Sequence, residues 1–142
     1  MEIRSIHDTP PDAVLPERLG IPDLRIWWLL GRDASGTDDL LLQVVDYPPG
    51  TLHDLHRHPG GSEVLYVMAG RGMHLTEAGP VEIGPGQAVH IPVMEWHGLE
   101  NPFDEMLTFV GIWPGIGGYE ELGLEDHPRT IARGTGSAHL AE

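Results

Sequence analysis

Short apolar runs alternate with turn-forming residues along most of the chain. The runs are rich in Val, Ile, Leu and aromatic residues, and 19 glycines and 13 prolines divide them. Many short runs separated by turns are typical of an all-β protein. No long segment has helical periodicity, and the best short helical segment is 119–124. The pattern predicts strands at 26–30, 40–47, 63–68, 72–76, 81–83, 88–91, 96–99 and 106–113.

Two appendages flank the predicted strands. Residues 1–24 carry four prolines that interrupt regular structure, so we predict an irregular N-terminal arm. Residues from Arg129 onward are predicted to form a short, loose C-terminal tail. A length of 142 residues fits one domain. We therefore predict a single all-β domain, 1–142, built on a compact antiparallel barrel at about 40–114.

Composition removes several classes of function. The chain has no cysteine and no lysine, which excludes disulfides, thiolate chemistry and Schiff-base chemistry. A net charge of −14 would repel nucleic acid and anionic membrane surfaces, so neither is expected as a partner. The N-terminus lacks an apolar signal core, and no apolar run is long enough to span a bilayer. We expect a cytoplasmic protein.

The residues with the clearest chemistry lie between two predicted strands. In a strand, side chains at i and i+2 point to the same face, about 6.6 Å apart, so His56 and His58 point the same way. Two imidazoles at that separation can both reach one ion at roughly 2.1 Å. A turn follows, and Glu63 opens the next strand and can deliver a carboxylate to the same place. His97 lies in a later short strand.

These residues resemble the two conserved motifs of the cupin family. The first motif is matched by Gly50, His56, His58, Glu63 and Gly70. The second is matched by Pro85, Gly86, Pro92, His97 and Asn101. One departure is Gln87, where the family often has an acidic residue. The resemblance implies an antiparallel jelly-roll barrel in which His56, His58, Glu63 and His97 bind one divalent metal ion.

The ligand set favours some metals over others. Zinc with four protein ligands tends to a closed tetrahedron, whereas a six-coordinate ion keeps two positions open for a substrate. We favour Fe(II), and Mn, Ni, Co and Zn remain alternatives. One carboxylate leaves the site with one net positive charge, which suits an anionic, bidentate ligand such as an enolate, a catecholate or a 2-oxo acid.

Three functions are compatible with such a site. The first is a metal-dependent enzyme that oxidises a small chelating organic molecule with O₂, as a dioxygenase does. The second is a redox-neutral lyase, isomerase or cyclase of secondary metabolism, in which the metal acts as a Lewis acid. The third is a cupin that binds a small molecule without turnover. The complete ligand set favours an enzyme, although a fold alone does not decide a reaction.

Two further residues are candidates for acid–base catalysis. His53 lies three residues before the His56–His58 pair and is a candidate proton shuttle or a supporting residue; a polar loop residue is the simpler interpretation. Glu95 shares strand parity with His97 and is a candidate acid or base at the mouth of the barrel. Exposure of Glu95 to solvent is the alternative.

The run at 26–30 also predicts a partner subunit. Its adjacent Trp27 and Trp28 place a large aromatic on each face of the strand. One face can pack on the barrel, and the other needs a cover. A homodimer is the expected arrangement, because two-fold dimers are the commonest oligomers. The alternative is that the N-terminal arm folds back and provides the cover itself.

Overall fold

Two antiparallel sheets form the body of the protein. The computed structural model describes residues 1–137, and within them one sheet has the order β1-β2-β9-β4-β7 and the other β10-β3-β8-β5-β6. Every strand pairing is antiparallel, which confirms the predicted all-β jelly roll. The strands are β1 (Arg25–Leu30), β2 (Leu40–Tyr47), β3 (Leu52–Arg57), β4 (Glu63–Ala69), β5 (Gly72–Thr76), β6 (Gly79–Ile83), β7 (Ala88–Ile91), β8 (His97–Glu100), β9 (Leu107–Pro114) and β10 (Glu125–Asp126).

Side chains alternate between the core and the outside along the central strands. In β2 and β9 every second residue is buried, as expected for strands with one face on a core. The two strands pair over eight positions, from Leu40 with Pro114 to Tyr47 with Leu107. Most inward residues of both sheets form one apolar cluster, which includes Val45, Leu65 and Phe109. Leu41 and Trp113 belong to a second, smaller cluster.

The N-terminal arm folds back onto this core. It contains one helical turn, α1 (Leu15–Arg18), and contributes the buried residues Leu15, Leu19 and Leu24 to the apolar cluster. Asp12 fixes the arm: its carboxylate accepts hydrogen bonds from the amides of Val14 and Leu15 and from Nε1 of Trp28. The prolines keep the arm irregular, as predicted, but its leucines make it part of the core.

The segment that follows β9 is more ordered than the sequence pattern suggested. A turn of 3₁₀ helix at Tyr119–Glu121 occupies the weak helical segment 119–124. The expected loose tail is wrong for its first residues, because a helix, α3 (Pro128–Arg133), packs against β3 there. Thr130 of this helix is buried, and its hydroxyl donates to the carbonyl of Leu55 at 2.8 Å. Residues 138–142 of the predicted tail lie outside the described residues.

The connection from β1 to β2 contains one helical turn, α2 (Arg32–Ser35). Together with α1 and α3 it is one of three short α-helices within residues 1–137. None of the helices in this part of the chain has the length and hydrophobicity needed to cross a bilayer.

Candidate metal centre

A bulge in β3 shapes the site. The pairing of β3 with β8 shifts between His53 and His56, so the two intervening residues break the strict alternation of faces. His53 and His56 are three residues apart and would point to opposite faces of a regular strand. Because of the bulge both rings reach the same side, where they stack with centroids 3.9 Å apart.

Three histidines meet at this point of the barrel. His56 lies at the end of β3 opposite His97, its register partner at the start of β8, and His58 follows the end of β3. All three are buried, and their closest ring nitrogens lie within 4.8 Å of one another. Two nitrogens bonded to one ion at about 2.1 Å lie at most about 4.2 Å apart, so a small inward adjustment brings the set to that size.

Backbone carbonyls fix the orientation of each of the three histidine rings. Nδ1 of His56 lies 2.7 Å from the carbonyl of Asp54, and Nδ1 of His58 lies 2.7 Å from that of Gly123. Nδ1 of His97 lies 2.9 Å from the carbonyl of Glu95. A carbonyl only accepts, so each Nδ1 carries the proton and each Nε2 keeps its lone pair for another partner. This arrangement is the one that metal-binding histidines commonly have.

Glu63 completes the predicted set. It opens β4, and its Oε1 lies 3.6 Å from Nε2 of His58 and 3.5 Å from Nε2 of His97. The Nε2 of His97 is buried, and apart from this long contact with Glu63 it has no hydrogen-bond partner within residues 1–137. A poorly satisfied buried nitrogen is costly, and a bound cation would use its lone pair. The three histidines therefore fit one divalent ion, and the carboxylate of Glu63 lies beside two of them.

Burial and mutual charge set the protonation of these groups. Burial lowers the pKa of His56 well below its ordinary value and also lowers the pKa of His58, so both rings are neutral at pH 7. Burial opposes the charged forms of Glu63 and His97 as well. Their mutual attraction outweighs it, so the pKa of Glu63 is lowered and the pKa of His97 is raised. A metal ion entering the site would replace the interaction between Glu63 and His97. The Nε2 lone pair of His97 would then be available to the ion.

A small cavity opens on the three histidines and Glu63. Its volume is about 80 Å³, and most of its wall is apolar. The N-terminal arm supplies Leu15, Leu19 and Leu24, and the core strands supply Val45 and Phe109 among others. No arginine lies among the cavity-lining residues of the described chain. Any charge on a bound molecule would therefore be balanced mainly at the metal centre.

The two candidate acid–base residues have different surroundings. His53 lines the cavity, and its Nε2 lies 3.3 Å from Oγ of Ser137. Burial lowers the pKa of His53 to about 3, so its ring is neutral at pH 7 and is a weak base. Glu95 is exposed and does not line the cavity, because the turn before β8 points its side chain outwards. Its visible contribution is the carbonyl that holds His97, and a role as acid or base stays a prediction that the geometry does not support.

Two cavity residues were missed in the sequence. Gln43 is an inward residue of β2, and Tyr119 closes one side of the cavity beside Trp28 and Trp113. Gln43 had a detectable signal, since it is the only amide at an inward position of a strand whose other inward residues are Leu41, Val45 and Tyr47. Tyr119 lies in an irregular segment, where no periodicity of the sequence predicts which side chains point inwards.

Comparison with known proteins identifies the family. A sequence profile described as the cupin domain matches residues 43–113, which is 71 of the 142 residues, or half of the chain. The chain belongs to the cupin superfamily. The match spans all four predicted metal ligands of this cupin, from β2 to β9.

The proteins to which this cupin is similar are named for several different activities. The oxalate-binding protein of Thermotoga maritima is 28% identical over 112 residues, covering 79% of this chain and 92% of that protein. The polyketide cyclase RemF from Streptomyces resistomycificus superposes with a TM-score of 0.70 at 22% identity, over 81% of this chain and 80% of that one. A sugar phosphate isomerase from Silicibacter pomeroyi gives 0.65 at 19% identity, over 80% and 75%. These structural similarities establish the fold.

The family and the buried histidines together indicate a divalent metal site in this cupin. The three Nε2 atoms and the carboxylate of Glu63 are the donors that the site offers. Imidazole and carboxylate suit several first-row divalent metals, so the donor set defines a class of ion rather than one element.

Proposed function

We propose that this cupin is a mononuclear divalent-metal enzyme that acts on a small chelating organic anion. The proposal rests mainly on the presentation of the three Nε2 atoms. Each ring is held through Nδ1 by a backbone carbonyl, and the free nitrogens meet beside Glu63 on the wall of a cavity. His56, His58, Glu63 and His97 are the proposed ligands. Histidines that only packed the core would have no need for this common orientation.

The cavity limits the size of the ligand. Sites for drug-sized molecules usually have about 300–1,000 Å³, whereas this cavity has about 80 Å³. A compact molecule such as oxalate or a small 2-oxo acid suits this volume better than a flavonol does. The charge of the site points the same way, because a divalent ion beside Glu63 leaves one net positive charge for an anion.

The favoured reaction is oxidation by O₂ with Fe(II). When bound, iron(II) would supply Lewis acidity and the electron exchange that oxygen chemistry requires. The chain's own residues supply the rest. The leucines of the arm exclude water from the cavity, and the neutral ring of His53 lies on the cavity wall, where it can hydrogen-bond a ligand.

Binding without turnover is the second candidate. It is favoured by the name of the curated relative from Thermotoga maritima, which is an oxalate-binding protein 28% identical to this chain. It is also compatible with the small, apolar cavity. The two candidates share the metal and the ligand class, and they differ in whether the ligand is changed.

Metal analysis followed by oxygen uptake tests the proposal. Protein purified without a histidine tag is loaded anaerobically with Fe(II), and its metal content is measured. Oxygen consumption is then followed with oxalate, pyruvate and catechol, and the products are analysed. We expect about one metal per chain and oxygen uptake with one of these anions. Metal binding without any product from the panel would favour ligand binding or redox-neutral chemistry.

Matched histidine variants distinguish the site from adventitious metal. His97→Ala removes the proposed ligand contributed by β8, whereas His90→Ala removes an exposed histidine on β7. We expect the first variant to lose metal and activity and the second to retain both. Equal metal content in wild type and His97→Ala would refute the proposed centre.

A further inference from the structure

One residue on the inward face of β2 does not follow the apolar pattern. Leu41, Val45 and Tyr47 are inward and pack in the core, and Gln43 lies among them with only 8% of its surface exposed. Polar residues at core positions are normally held by hydrogen bonds or serve a function. Tyr47 follows this rule, because its hydroxyl donates to the carbonyl of Leu99 at 2.9 Å.

Gln43 has no such partner. Its amide makes no hydrogen bond to any residue in 1–137; the residue is more than nine-tenths buried, and it borders the cavity. The side chain lines the same small cavity as His56, His58, Glu63 and His97. An amide offers both a donor and an acceptor, so two kinds of hydrogen bond are left for a molecule in the cavity.

The opposite strand makes room for this amide. Gly111 is the register partner of Gln43 on β9, where the neighbouring inward residues are Phe109 and Trp113. A Cβ on Gly111 would lie 3.0 Å from Nε2 of Gln43 and 3.1 Å from its Cγ. Because Gly111 does not have a positive φ, the backbone does not require glycine there. The missing side chain is explained by the space that Gln43 occupies.

We propose that the amide of Gln43 binds the end of the ligand that points away from the metal centre. This inference rests on the proposed function and assigns the residue that selects among chelating anions. The ligand would chelate with two oxygens and offer a further oxygen to the amide N–H of Gln43. Oxalate has this character, with oxygens at both ends. In a cavity of about 80 Å³, a molecule held at the metal centre stays within reach of the opposite wall.

Binding of oxalate to cobalt-loaded protein tests the assignment without relying on turnover. Wild type and Gln43→Leu are loaded with Co(II) under anaerobic conditions, their metal content is measured, and oxalate is titrated by calorimetry. We expect equal metal content and at least about tenfold weaker oxalate binding in the variant, the effect of losing one hydrogen bond to a charged ligand. The melting temperature of Gln43→Leu should equal or exceed that of wild type, because an unpartnered polar group has been replaced by an apolar one.

Two other variants distinguish an effect of the Gln43 amide on oxalate binding from a general effect of altering β2. Gly111→Ala displaces the amide without removing it, and we expect it to weaken oxalate binding as well. Asp46→Asn is a conservative change on the outward face of β2 and should leave the affinity within about twofold of wild type. Should Gln43→Leu fail to fold, Gln43→Asn, which withdraws the amide by one methylene, replaces it.

The outcomes are distinguishable from those of the proposed function. A wild type that takes up no metal refutes the metal centre. A cobalt-loaded wild type that binds no oxalate overturns the ligand class assigned to Gln43. Oxalate affinities within twofold of each other in wild type and Gln43→Leu overturn the role of Gln43 and leave the metal centre standing.

Discussion

Gly98 follows the proposed ligand His97 directly and allows two strands to approach at the bulge. A Cβ on Gly98 would lie 2.7 Å from the carbonyl oxygen of His53 and 3.1 Å from Cδ1 of Leu75. The first contact is with backbone, which cannot rotate away as a side chain can. At this residue the spacing of β3 and β8, and with it the spacing of His56 and His97, depends on the absence of a side chain.

Gly98→Ala is therefore expected to destabilise the protein and to weaken metal binding. Forcing one methyl group into such a contact costs about 1–3 kcal/mol. Urea unfolding of the metal-free protein measures the loss, and metal titration measures the change in affinity. Gly84→Ala is the control, because the nearest atom to its Cβ is Cγ of Arg71 at 3.9 Å. We expect the control to change stability by less than about 0.5 kcal/mol. Equal stabilities of the two variants would contradict the tight approach.

The four proposed ligands differ in what their removal should do. His97→Ala removes the ligand from the second motif and should abolish metal binding and activity. Glu63→Gln keeps the shape of the side chain and removes its charge, so we expect folding to be retained, metal affinity to fall and metal preference to shift. Metal content after loading with an equimolar mixture of Mn, Fe, Co and Ni measures the preference. Wild-type activity in either variant would contradict the ligand assignment.

At this scale the sequence predicted the residues better than their surroundings. The spacing of His56, His58, Glu63 and His97 was enough to propose one site, and the structure brings their side chains together. The stacking of His53 on His56 depends on the bulge, and nothing in the local sequence specifies a shift of register. The carbonyls of Asp54, Gly123 and Glu95 are backbone groups. Every residue has one, so the sequence does not indicate which carbonyls bind the histidine rings.

At the scale of elements, the C-terminal segment acts as a brace on β3. β10 pairs with β3 at Arg57 and His56, and the amide of His127 donates to the carbonyl of Leu55. Thr130 donates to the same carbonyl from α3. The bulge leaves this carbonyl outside the regular pairing of β3 with β8, and the brace satisfies it. The segment therefore stabilises the strand that carries His56.

Thr130→Val tests the brace. The change keeps the shape of the side chain and removes a buried hydroxyl, which leaves the Leu55 carbonyl with one hydrogen bond fewer. We expect a loss of about 1–2 kcal/mol in the free energy of urea unfolding. Ile131→Ala, at a neighbouring position that is 66% exposed, should cost less than about 0.5 kcal/mol. Similar losses of unfolding free energy in both variants would mean that α3 stabilises the protein by packing, and that the hydrogen bond from Thr130 to Leu55 contributes little.

The strands were predictable from alternation and turns, and the brace was not. The predicted strands at 40–47, 72–76 and 88–91 coincide with β2, β5 and β7, and the other five differ from the structure by one or two residues. β3 and β10 were not among the predicted strands. The helix α3 carried a weak signal, with Pro128 at its first position and Gly134 in a left-handed conformation at its end. Its six residues are too few to show helical periodicity, so contacts with β3, which the sequence does not display, decide its structure.

At the scale of the whole molecule, the outward face of the β1-β2-β9-β4-β7 sheet is largely apolar. One row in register across the five strands consists of Trp27, Val44, Val110, Tyr66 and Ala88. These side chains are half-buried or exposed, and Tyr66 keeps 46% of its surface open. The arm covers the other face of β1, where Trp28 bonds to Asp12. A broad apolar face is typical of a surface that associates, so a two-fold homodimer through this sheet remains our expectation.

Light scattering at low micromolar concentration tests this expectation, with a dimer mass as the predicted result. Val110→Lys places a charge at the centre of the row and should give a monomer with unchanged metal content. Val81→Lys is the control, since Val81 is 54% exposed on β6 of the other sheet. A monomeric wild type would refute the dimer, and a dimeric Val110→Lys would move the interface elsewhere.

The bond between His58 and the carbonyl of Gly123 joins groups that are 65 residues apart in the chain. Ribosomes synthesise a protein from its N-terminus, so all four proposed ligands exist once His97 has been added. The group that orients His58 is made later, as is the brace on β3. A nascent chain at that stage can orient His56 and His97 through Asp54 and Glu95, but not yet His58. The geometry of the proposed site is therefore complete only after Gly123 has been synthesised.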